Sequence, residues 1–116
     1  MPPIVIIGRF RYINARVMSA GHDWAEENSD LRGLKGLIKV DTFHIAPDRG
    51  MVIFYLRTAE HAKASLPQLE NSFDGYSKMF DCKILLYLVK KINWDLEKLR
   101  LNEEDRLYYE NQGIGR

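Results

Sequence analysis

Leu37–Thr58, LIKVDTFHIAPDRGMVIFYLRT, decides how the rest of the chain is read. Two segments rich in β-branched and aromatic residues, Leu37–Ala46 and Met51–Arg57, flank Pro47-Asp48-Arg49-Gly50. Proline presets φ for the second position of a turn, and glycine adopts the left-handed conformation that closes many such loops. The stretch reads as a β-hairpin with its tip at 47–50. With Ile45 opposite Met51, the residues Ile38, Val40, Thr42 and His44 share a face with Val52, Phe54 and Leu56. Lys39, Asp41, Phe43 and Ile45 then share the other with Ile53, Tyr55 and Arg57. A slip of one residue would exchange the two faces.

Working outward, Ile4–Tyr12 (IVIIGRFRY) has aliphatic residues followed by alternating arginines and aromatics, the pattern of a strand that ends half exposed. Gly8 within it marks a bulge or a close approach. Asn14 is placed to cap a helix over Ala15–Leu31, whose inward stripe is Val17, Met18, Gly21, Trp24, Ala25 and Leu31. Gly21 costs that helix roughly 1 kcal/mol against alanine unless another backbone packs there. Gly33 and Gly36 end it and open the hairpin.

Downstream, Thr58 caps a second helix with Glu60 at its positive end. Pro67 predicts a break, because proline removes a backbone donor and clashes with the preceding turn. Ser65 and Gln68 then form a capping box for a second piece carrying Leu66, Leu69, Phe73, Tyr76 and Phe80. Cys82–Lys90 (CKILLYLVK) is the last strand. The order β-α-β-β-α-β predicts an α+β, ferredoxin-like fold: a four-stranded antiparallel sheet with both helices on one face. Residues 1–92 form this domain. Residues 93–116 form a C-terminal extension with short helices, placed to clasp a partner or cover a sheet edge.

The 116 residues suffice for one domain, and 46% apolar with 28% charged content is ordinary for a packed fold. A net charge of +1 argues against wholesale binding to nucleic acid or to an anionic membrane, so neither is expected as a partner. Neither apolar run, Ile4–Ile7 or Ile84–Val89, is long enough for a signal sequence or a membrane helix. The single cysteine, Cys82, suits a reducing, cytoplasmic setting and reads as a buried, inert thiol. His22, His44 and His61 have no ligand spacing and Gly33 and Gly36 lack the lysine of a phosphate loop, so no metal and no cofactor is expected.

The sheet face away from the helices collects Arg9, Arg11, Lys39, Arg57 and Lys83 together with Phe43, Ile45, Ile53, Leu85 and Val89. It is too apolar to stay wet and too charged for a dry core, which predicts a homodimer packed sheet to sheet. Two readings of its polar residues stand. Arg9, Asp41, Tyr55, Arg57 and Tyr87 either bind a small anionic or phenolic ligand, or form an intersubunit ion-pair network at the dimer rim. His44 reads as a core histidine with one hydrogen bond rather than a catalytic base, and His61 as exposed; His22 and Trp24, near the middle of the first helix, either border a cavity or, for Trp24, fill ordinary core.

Gly33-Leu34-Lys35-Gly36 before the second strand and Thr58-Ala59-Glu60-His61-Ala62 after the third resemble the antibiotic-biosynthesis-monooxygenase-like domains of the dimeric α+β barrel superfamily over residues 4–90. Tyr55 stands where that family usually has tryptophan. The resemblance implies a homodimer with a cavity between sheet and helices, in a superfamily of cofactor-free oxygenases, haem-degrading enzymes and members without a known reaction. RNA-recognition domains share the element order, but Met51, Ile53 and Ile7 stand where their stacking aromatics are needed. The expected function is small-molecule binding, oxygenase-like and cofactor-independent, with a structural or regulatory homodimer as the alternative.

Overall fold

In a computed structural model of the protein, residues 4–90, Asn102 and Glu104 are described. The elements run β1 (Ile4–Arg11), α1 (Ala15–Asn28), β2 (Leu37–Ala46), β3 (Arg49–Leu56), α2 (Ala59–Phe80) and β4 (Lys83–Lys90). The strands form one antiparallel sheet in the order β2-β3-β1-β4. This is the ferredoxin-like arrangement. α2 lies against β1, β3 and β4, and α1 packs against α2. Among the described residues, no helix is long and apolar enough to cross a membrane. The extension from residue 93 lies outside the described residues except at Asn102 and Glu104.

Local chemistry starts both helices. The Asn14 side chain accepts from the Val17 N–H at 2.9 Å, and Thr58 Oγ1 accepts from the His61 N–H at 3.1 Å. α1 stops at Asn28, short of Leu31, and the chain turns at Gly36 with φ +79°. A Cβ there would also run into the ring of His61, which is half buried and bonded through Nδ1 to Thr58 rather than exposed.

Pro67 does not divide α2, which runs unbroken through it. The proline sits on the exposed side, while Ala62, Leu66, Leu69, Phe73 and Tyr76 pack inward on both sides of it. That continuous burial outweighs the roughly 3 kcal/mol penalty of an interior proline. Gln68 Nε2 donates to the Ala64 carbonyl at 3.4 Å, so it does not reach back as a capping residue. Ser65, expected at a helix start, is buried mid-helix.

The hairpin is tighter than the sequence suggests. Ala46 pairs with Arg49, leaving Pro47 and Asp48 as the turn, and Phe43 rather than Ile45 faces Met51. The displacement is two residues, so most side chains keep their predicted faces. Gly50 is not left-handed; it is a buried β3 residue with the His22 ring edge near its Cα. A bulge between Leu37 and Lys39 turns Leu37 into the core and leaves Ile38, expected inward, 56% exposed.

The core forms two clusters. Ile6, Leu34, Val52, Phe54, Leu56, Ala62 and Leu69 fill the space beneath α2. Tyr12, Met18, Tyr76 and Cys82 close the other end, where α1 meets α2. Gly8 lies between Val52 and Leu86 with no room for a Cβ, so the centre of the sheet packs tightly.

Candidate functional site

Between α1, α2 and the helix-facing side of the sheet lies a cavity of about 670 Å³. Its sheet wall is Phe10, Tyr12, Val40, Thr42, Val52 and Phe54; α1 gives His22, Trp24 and Ala25; α2 gives Leu69, Phe73 and Tyr76. Exposed residues, among them Glu26, Asn28, Ser29, Asp30, Gln68 and Ser72, surround the mouth.

Aromatic rings set its shape. Phe10 meets Phe73 edge to face at 5.4 Å and Tyr76 at 6.0 Å, and Trp24 tilts against Tyr76 at 6.0 Å. The edge-to-face pairs put the positive ring edge on a negative face. Behind them, the hydroxyls of Tyr12 and Tyr76 are 2.7 Å apart and buried. Gly21 of α1 presses on this pair, and a Cβ there would overlap the Tyr76 hydroxyl. The glycine that weakened the helix in sequence terms thus lets α1 settle against α2.

Burial disfavours charge on Tyr12, Tyr76 and His22 in the cavity wall. Burial, then the hydrogen bond to Tyr76, pushes the Tyr12 hydroxyl far above the usual tyrosine range, and burial also raises Tyr76. Burial raises the Cys82 thiol to about 11, so it is inert as expected. His22 is shifted the other way: burial first, then nearby His44, lowers its pKa, with Asp23 opposing. The rings of His22 and His44 meet edge to face at 5.2 Å. His44 therefore lies on the helix side as predicted, but it is exposed at the sheet edge rather than buried in the core.

The five residues expected to bind a ligand sit elsewhere. Arg9, Asp41, Tyr55 and Tyr87 fall on the open face of the sheet by register, and Arg57 follows at the end of β3. None of them lines the cavity. Asp41 and Tyr55 are brought together: Lys39 Nζ is 3.3 Å from the Asp41 carboxylate and 4.6 Å from the centre of the Tyr55 ring. Burial, then a hydrogen bond with Asp41, raises the Tyr55 pKa. Around them Leu85 is 58% exposed and Phe43 44%. Among the described residues no cluster of three or more His, Cys, Asp or Glu is arranged to hold a metal.

Solved structures share this architecture. A dimeric ferredoxin-like protein from an uncultured marine organism superposes with a TM-score of 0.63 at 10% identity, covering 82% of this chain and 92% of that one. The fold is ferredoxin-like. A protein of unknown function from Nitrosomonas europaea gives 0.60 at 10% identity, over 82% and 94% of the two chains. A variant of SnoaB, a cofactor-independent oxygenase from Streptomyces nogalater, gives 0.50 at 11% identity, over 82% and 100%. No protein-family model matches the sequence, and no curated protein matches it.

In the sequence Trp24 reads as core or cavity border and Tyr76 as an inward residue of α2, but nothing there pairs Tyr76 with Tyr12. The signal was Gly21: an interior helix glycine announces a close neighbour, and a tyrosine at the end of a strand is a fitting one.

Proposed function

We propose that the protein binds a small aromatic molecule in the cavity between its sheet and helices, and acts as a homodimer joined through the open sheet faces. The observation that carries the first part is the 670 Å³ volume walled by Phe10, Trp24, Phe73 and Tyr76. That size and lining suit a planar ligand of drug-like dimensions. Ser72 lies at the mouth, so Ser72→Trp fills the entrance from an exposed position. Titration calorimetry with β-naphthol tests this: binding by the native chain and its loss in Ser72→Trp support the site, and unchanged binding in the variant removes it.

The homodimer rests on the exposed Phe43, Leu85 and Tyr87 of the open face, with the dimeric neighbour in support. A second copy would cover this apolar surface and bring Arg9, Asp41, Tyr55, Arg57 and Tyr87 to an interface. There they pair across it or hold an anionic or phenolic ligand. Arg57→Ala separates these outcomes: loss of the dimer indicates an ion-pair network, and loss of anion binding from an intact dimer indicates a ligand.

One observation favours a catalytic reading, cofactor-independent and oxygenase-like. His22 lines the cavity and is held neutral, so its imidazole is available to take a proton from a phenolic ligand. Oxygen uptake with quinols under air, abolished by His22→Gln, is the expected result; a flat oxygen trace leaves binding without catalysis.

A further inference from the structure

The two faces of the sheet are separated by charge. Arg9, Arg11, Lys39 and Lys83 belong to the open face by register. The described lining of the cavity contains no lysine or arginine, and its only charged residues are Glu26 and Asp30 at the mouth. Asp30 is already engaged by Arg32, with 2.8 Å between Asp30 Oδ2 and Arg32 Nη2. A carboxylate entering this cavity would lose its hydration and find no cation in exchange, which is costly. Thr42 and His22 offer neutral hydrogen-bonding groups instead.

From this segregation we propose that the cavity selects an uncharged, planar aromatic ligand carrying a hydroxyl or carbonyl group, and rejects aromatic carboxylates of the same shape. The inference rests on the cavity being the ligand site. It adds that the basic open face takes no part in selection by the cavity. The neutral state of Tyr12 and of His22 agrees with it, since the surroundings disfavour an anion at one and a cation at the other.

Calorimetry of the full chain at neutral pH with three probes of one shape tests the proposal: β-naphthol, β-naphthoate and β-naphthylmethylammonium. The expected order has β-naphthol tightest and β-naphthoate weaker by roughly tenfold or more, in line with the desolvation of an unpaired charge. Naphthoate binding that survives Ser72→Trp but disappears in Arg57→Ala belongs to the open face and supports the proposal. Naphthoate binding as tight as naphthol and lost in Ser72→Trp overturns charge selection while leaving the cavity as the site. A tighter ammonium probe likewise overturns it. If no probe binds, both the cavity reading and its selectivity fall.

Discussion

The hydroxyls of Tyr12, just beyond β1, and Tyr76, on α2, stand 2.7 Å apart, and both residues are buried. One hydroxyl donates to the other in the wall of the cavity. Removing one leaves a buried hydroxyl without its partner, at a cost of about 1–3 kcal/mol, whereas removing both leaves none. Urea unfolding of Tyr12→Phe, Tyr76→Phe and the double variant checks this. The double variant is expected to lie closer to the native chain than the sum of the single losses predicts.

Gly21→Ala pits helix propensity against packing. Alanine gains about 1 kcal/mol in an isolated helix. Here its Cβ meets the Tyr76 hydroxyl and must push apart the tyrosine pair. The variant is expected to be less stable than the native chain by about 1–2 kcal/mol, because a disturbed buried hydrogen bond costs more than the propensity returns. In a Tyr76→Phe background, where no hydroxyl stands in the way, thermal melting should show most of that penalty gone.

Much of the architecture was legible in the sequence. Asn14 and Thr58 announce their helices, and the alternation in 37–58 places the hairpin faces because a two-residue displacement leaves them unchanged. The unbroken α2 was not legible, since local rules count the penalty of Pro67 and do not see the core packed on either side. A cavity between sheet and helices follows from the family resemblance, but most of its lining was not legible. Its walls come from β1, α1, β2, β3 and α2, and Phe73 and Tyr76 read as ordinary core until α1 is placed. Charge drew attention to Arg9 and Arg57, which lie on the other side of the sheet.

His22 makes stability depend on pH in a stated direction. Its folded pKa lies below the 6.5 of an unperturbed histidine, so the unfolded chain takes up its proton first as acid is added. The contribution is fully present above pH 6.5 and is lost as the pH falls through and below that value. Melting temperatures across mildly acidic pH are expected to fall less steeply in His22→Gln than in the native chain. Parallel curves would assign the acid sensitivity to other groups.

Phe43→Asp tests the open face. Phe43 is 44% exposed in the single chain and points away from the helices, so the substitution leaves the core untouched. Light scattering is expected to give twice the 13.5 kDa chain mass for the native protein and the chain mass for the variant, with the same circular dichroism. Native protein that scatters as a single chain at micromolar concentration contradicts the homodimer.

The central claim is that a ligand lies between the helices and the sheet, and a crystal structure grown with β-naphthol tests it most directly. The account predicts density for the naphthalene among Phe10, Phe73 and Tyr76, with its hydroxyl directed to Thr42 or His22. A cavity closed by its own side chains, with the probe bound instead beside Arg9 and Arg57, would contradict it.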